Sequence, residues 1–188
     1  MTPRMAWLFF ALISVPVYAA DYSVTLKPDN TKVHFTLGDV LHTVNGTFAL
    51  KSGNILFDPE SGKASGSVVV DVASGESGSE ARDKRMRANV LESAKYPEAT
   101  FAPSKIEGAL AIPGTSSVKV YGVFTIHGAP HEVMMDTRVT TTSDKLNATV
   151  QCDIPYVSWG MKDPSNFLLK VNKTARLTID VAAPLEKR

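Results

Sequence analysis

Few residues in this chain have the type and spacing that covalent or metal chemistry requires. The segment His131-Glu132-Val133-Met134-Met135 opens like the helix of a zinc protease, where two histidines four apart hold the ion and a glutamate activates water. Met135 stands where the second histidine is needed, and the segment reads as a strand. His127 and His131 flank a Gly-Ala-Pro turn and could approach a common ion, but a site needs more than two ligands, so turn histidines in solvent are expected. No Gly-x-Ser-x-Gly elbow, phosphate-cradling loop or dinucleotide fingerprint occurs. Neither a metal nor a cofactor is expected. Cys152 is the only cysteine, so no intramolecular disulfide forms. It is read first as a small buried apolar residue and second as a reactive or dimer-forming thiol, which leaves a homodimer open.

The remaining polar candidates suit contact rather than chemistry. Arg82, Lys84, Arg85 and Arg87 crowd one short stretch. They read as a solvated helix face, or as a source of one guanidinium for a polar head group. His34 and His42 lie on or near the polar face of a first hairpin. Trp159 precedes Gly160 in a loop and reads as a core plug, or alternatively as part of a pocket rim.

The elements that hold these residues alternate with period two, the signal of strands with one buried face. Val33, Phe35 and Leu37 share a face, as do Val44, Gly46, Phe48 and Leu50. Val68, Val70 and Val72 repeat the pattern, followed by Val118, Val120, Phe124 and Ile126. Val133, Met135 and Val139 continue it, then Leu146, Ala148, Val150 and Cys152. Phe167, Leu169 and Val171 lead into Leu177, Ile179 and Val181. Pro, Gly and Asp clusters separate the runs. Long strands with short connections predict a closed all-β barrel, which removes its own edges. Small barrels of roughly eight strands are filled by side chains or leave room for one small ligand. Gly46, Gly66, Gly122 and Ala148 either keep the bore open or relieve bends and bulges. Ser77-Gly78-Ser79-Glu80 fits a capping box and predicts one helix over about 79–92, near one barrel end. Met86 and Val90 would face the barrel, and Asp83 and Arg87 would pair along the helix.

An outer-membrane barrel also alternates, but with apolar residues outward and aromatic girdles at both interfaces. Aromatics are only 8% of this chain and its polar face is irregular, so an apolar-lined barrel is expected instead. Arg4, the apolar run Ala6–Val17 and the small residues Ala19 and Ala20 form a secretory signal peptide over 1–19, leaving 20–188 as one domain. Removing Arg4 from the 20 basic residues leaves 19 against 19 acidic ones, so the exported chain has no formal charge. Nucleic acid is therefore not an expected partner, and no segment after the leader is apolar enough to span a bilayer as a helix.

Five short segments carry a resemblance. They are His42-Thr43-Val44-Asn45-Gly46-Thr47-Phe48, Arg82-Asp83-Lys84-Arg85-Met86-Arg87, Lys95-Tyr96-Pro97-Glu98-Ala99-Thr100-Phe101, Gly122-Val123-Phe124-Thr125-Ile126-His127-Gly128 and Trp159-Gly160-Met161-Lys162-Asp163. In this order they resemble the YceI-like lipid- and polyisoprenoid-binding family, over about Asp21 to Ala183. Met86 replaces a frequent leucine of that family, and Trp159 a frequent tyrosine. The resemblance implies a periplasmic, lipocalin-like barrel; that it is not an enzyme is expected from its apolar faces, which carry no acid or base. It holds a polyprenyl chain, such as an isoprenoid quinone or its precursor, along an open bore. The inward positions Phe35, Phe48, Val70, Val120, Phe124, Met135, Val150 and Leu169 would then form the walls, none of them acid or base. His42, Asp83, Arg87 and Trp159 are the candidates for contacts with a polar head at the rim. The alternatives are a ligand-free envelope interaction module and, further off, an enzyme on lipid-like substrates.

Overall fold

The computed structural model describes residues 21–38, 42–167 and 170–188. The signal-peptide reading and Leu169 lie outside these described residues. Alternation becomes nine strands: β1 (Tyr22–Leu26), β2 (Thr31–Gly38), β3 (Thr43–Phe57), β4 (Ala64–Glu76), β5 (Glu98–Glu107), β6 (Gly114–Ile126), β7 (Ala129–Thr141), β8 (Lys145–Ile154) and β9 (Ala175–Lys187). One helix, α1 (Glu80–Arg85), joins β4 to β5 and passes into a π-helical turn over Met86–Val90.

Consecutive strands pair antiparallel from β2 to β9, and β9 returns to β2, which closes the wall. β1 and β2 share one wall position. β1 lies along the second half of β3 and the end of β9, while β2 lies along the first half of β3 and the start of β9. They act as one interrupted strand, and the barrel has eight wall positions. Asn30 holds the interruption: its Oδ1 accepts from the Lys27 amide at 2.8 Å, and its Nδ2 donates to the Thr25 carbonyl at 3.1 Å.

The apolar faces point inward, the reverse of an outer-membrane barrel. Among the described residues the large exposed apolar side chains are Val123, Met134 and Phe167. One end of the interior is solid. Val24, Leu26, Phe57, Leu146 and Leu185 interlock there, with Leu110 and Ile112 packed against them. At this same end the Arg188 amide donates to the Asp21 carbonyl at 2.8 Å, so the two ends of the described chain meet.

Two expectations need correction, and the two roles left open for the glycines are distinguished. Phe167 and Val171 lie outside the strands; Pro164 precedes them, and Phe167 is 95% exposed. The capping box does not form: Ser79 caps α1 without a side-chain bond, because Ser77 is taken by the buried Asp83 carboxylate. The glycines do not hold the bore open. A Cβ on Gly46 would strike the Phe35 ring, and one on Gly122 would lie 2.7 Å from the Phe101 ring. Bare backbone there lets each ring lie flat on the neighbouring strand. Gly66, at φ +124°, sits directly against the Asn54 carbonyl, a close backbone approach that leaves no space for a side chain.

Candidate functional site: an apolar cavity under the helix

Above the solid end the barrel is hollow. Met135, only 2% exposed, and Val68 form the floor of a cavity of about 500 Å³. Its wall is built from inward residues of eight strands: Phe35 on β2, Phe48 on β3, Val70 and Val72 on β4, Ala99 and Phe101 on β5, Phe124 on β6, Met135 on β7, Ile154 on β8 and Leu177 and Ile179 on β9. Phe35 and Phe48 meet with ring centroids 5.2 Å apart. Such volume and wall chemistry fall within the range of small-molecule sites.

Two covers frame the mouth. The helical segment contributes Ala81, Met86, Val90 and Leu91. Met86 and Val90 face the cavity together, as their spacing required. Opposite, the loop between β8 and β9 brings Tyr156, Met161, Pro164 and Val171. The buried Tyr156 hydroxyl donates to the Asn172 carbonyl at 2.7 Å, and the Asn172 amide donates to Gly38 at 2.9 Å. These bonds tie the loop across its own base and to the end of β2. Burial, then the nearby Asp163, pushes the Tyr156 phenol up to about 12, so it stays neutral.

Five of the eight expected wall residues, Phe35, Phe48, Val70, Phe124 and Met135, come together around this cavity. Val120 and Val150 do not line it. Val120 lies in register with Met135 and Ile106, at floor level, and Val150 packs into the adjoining core. Sequence reading missed Val72, Ala99, Phe101 and Leu177, although Val72 and Leu177 belonged to runs already read as inward.

The four rim candidates behave differently. His42 is exposed. Asp83 is 6% exposed and is not among the residues that line the cavity; it accepts from the Ser77 amide at 2.9 Å and from the Ser77 hydroxyl. Arg87 donates to the Gly75 carbonyl at 3.0 Å rather than pairing with Asp83. Trp159 stacks on His131 at 4.0 Å with the planes 5° apart, and packs against the core. It is a plug, not a rim group. Nor are the turn histidines in open solvent. His131 Nε2 is buried with no partner among the described residues, and His127 Nε2 lies 3.0 Å from Glu92. The polar groups that do line the mouth are Ser77, Ser79, Arg82, Arg85 and Arg176, besides the Tyr156 hydroxyl.

Cys152 is buried on the inner face of β8. Burial, then Asp153 and Asp136, pushes its thiol up to about 11, so little thiolate exists at neutral pH.

Asp83 anchors the helical cover and gives it an acid-sensitive joint. Burial opposes its ionisation, but the Ser77 bonds and the nearby Arg82 and Arg87 outweigh this and hold the carboxyl below its usual value. A depressed carboxyl stabilises the fold above the unfolded value of about 3.9, and that contribution is lost as pH falls through the folded value. Asp83→Ala should cost roughly 1–3 kcal/mol near neutral pH by leaving the Ser77 amide unpaired. The gap to wild type should narrow in acid, which thermal melts across pH would follow. Parallel losses in both proteins would clear Asp83 of the role.

Comparison with known proteins fits this geometry. Residues 24–183 match the YceI-like domain. The chain belongs to the YceI-like family. Three solved structures share its fold. A polyisoprenoid binding domain from Saccharophagus degradans, implicated in plant cell wall breakdown, has 19% identity and a TM-score of 0.67, covering 88% of this chain and 98% of its own. Burkholderia cenocepacia BcnA has 18% identity and a TM-score of 0.67, covering 81% and 96%. The Campylobacter jejuni YCEI protein has 22% identity and a TM-score of 0.64, covering 77% and 86%. Among curated proteins, none matches this sequence.

Proposed function

We propose that this YceI-like protein holds the chain of a polyisoprenoid lipid, an isoprenoid quinone or another polyprenyl species, and serves as its carrier or buffer in the periplasm. The observation that carries the reading is the cavity: about 500 Å³, walled by aliphatic and aromatic side chains, with polar groups only toward its mouth. Each methylene moved from water into such a site contributes about 0.8 kcal/mol. A flexible Met135 at the floor and Met86 in the cover can adapt to an irregular chain. The Saccharophagus degradans relative, described as a polyisoprenoid binding domain, supports the same ligand class. A periplasmic setting agrees with the leader read from the sequence.

Binding without chemistry is favoured because no carboxylate or imidazole is among the described cavity-lining residues. A ligand-free interaction module would fill its bore, whereas this one is packed at one end and hollow above it. Native mass spectrometry of the protein purified from its own periplasm, followed by solvent extraction, tests the proposal. A stoichiometric polyprenyl species is the expected result. A bare chain that also takes up no added isoprenoid would overturn it.

A further inference from the structure

The two ends of the barrel differ in charge. The connections 77–97, 127–128 and 155–174 lie at the end where the cavity opens, and 58–63, 108–113 and 142–144 lie at the solid end. At the solid end Lys63 stands against Asp58, Glu60 and Asp144. Among the described residues at the open end, 77–97 carries five cations against three carboxylates, and 155–174 carries three against one. Those last three are Lys162, Lys170 and Lys173, all exposed; the carboxylate is Asp163, 3.8 Å from Lys173. The barrel is thus polarised along its axis, positive at the mouth. Phe167 stands in the same loop and is 95% exposed, against 38% for Val123 and 40% for Met134. One exposed apolar side chain is ordinary on a protein surface. The place of this one is not: Pro164 and Val171, on either side of it in the sequence, line the cavity. Phe167 therefore projects beside the opening, within a loop that also carries the lysines.

We propose that this end of the barrel docks on an anionic phospholipid bilayer, with Phe167 entering the interface and the lysines of its loop facing the lipid phosphates, so that the cavity opens onto the membrane. Peripheral attachment draws on two additive terms, apolar surface inserted into the boundary between head groups and chains, and attraction of cations to anionic lipid. The loop supplies both at one place. A protein partner fits it less well. Stable protein interfaces bury about 1,200–2,000 Å² around a clustered apolar centre, and a single ring on a charged loop offers no such centre. The inference goes beyond the lipid-binding reading and does not require it, since a carrier could exchange its lipid through water and an empty barrel could still dock. Docking of this kind is reversible and weakens as salt screens the surface charge.

The test sediments the purified protein with vesicles of phosphatidylcholine alone and of equal parts phosphatidylcholine and phosphatidylglycerol, at low and at high ionic strength. The protein should partition onto the mixed vesicles, and less so in high salt. Phe167→Ala should lower that partition roughly tenfold, since an aromatic ring withdrawn from water is worth about that factor. The Lys162→Gln, Lys170→Gln double variant should lower it by a similar factor or more, because each cation close to an anionic surface contributes roughly fivefold. All three side chains are exposed, so thermal melts of these variants should match the wild type. Phe167→Trp gives a second readout: its emission should shift to the blue on mixed vesicles, while Trp159, packed against the core, supplies a constant background. Uptake of an isoprenoid is measured apart, without vesicles, by displacement of a fluorescent apolar probe, so failure of docking and failure of lipid binding are told apart. Mixed vesicles that stay bare would overturn the inference and turn the loop toward a protein partner. Binding that Phe167→Ala leaves unchanged would overturn it as well, because another face would then be making the contact.

Discussion

Ala99→Trp should weaken uptake of an isoprenoid chain by more than about a hundredfold and leave the barrel folded. Ala99 is an inward residue of β5, 5% exposed, in register with Val70, and both side chains line the cavity. An indole grafted there enters open space rather than a packed interior. Forcing bulk into a filled core costs typically about 1–3 kcal/mol, and the hollow should keep the penalty near the lower value. The ligand has no such relief. Excluding four methylene-sized groups forfeits roughly 3 kcal/mol of transfer free energy, more than about a hundredfold in affinity. Probe displacement and a thermal melt on the same sample would read both effects. Wild-type affinity in a folded Ala99→Trp protein would mean that the lipid sits elsewhere.

The largest loss of stability should come from Met135→Ala. Met135 is the most completely buried large side chain among the described residues and lies where the two halves of the interior meet. Truncation of a buried methionine costs about 2–5 kcal/mol, the spread reflecting how far the site can collapse. Collapse is restricted here, because the cavity already lies on one side. The variant should also tolerate a longer chain, since the floor is lowered. Denaturant unfolding gives the first quantity, and binding across a series of chain lengths gives the second. A loss below about 1 kcal/mol would show that Met135 is loosely held and that the hollow already extends beneath it.

How much of this was legible in the sequence depended on what alternation encodes. It states which face a side chain takes, and Phe35, Phe48, Val70, Phe124 and Met135 were assigned correctly to the inner face. Height along the barrel is a different variable. Val120 and Val150 also belong to the inner face, yet the plane that separates solid from hollow runs near them. That plane is set by packing between strands distant in sequence. The split of one wall position between β1 and β2 was similarly hidden. Tyr22, Val24 and Leu26 alternate, but the run is five residues long and Asn30 interrupts it through side-chain bonds to Lys27 and Thr25. Around the helix the local motif misled. Ser77 and Glu80 have the spacing of a capping box, but a buried carboxylate at Asp83 is a stronger claimant for the serine than a helix end that water can reach. The stacking of Trp159 on His131 brings together residues from a loop and from β7, a pairing that neither segment announces.

The hydrogen bond between Arg188 and Asp21 has a practical side. Both ends of the described chain emerge beside one another on the face remote from the mouth. A tag or surface anchor fused to either end would therefore orient every molecule with its opening toward the bulk, as a sensor needs. A short peptide linker could also splice the two ends together, so that the chain can be cut anew at an outer turn such as 58–63 with the wall kept whole.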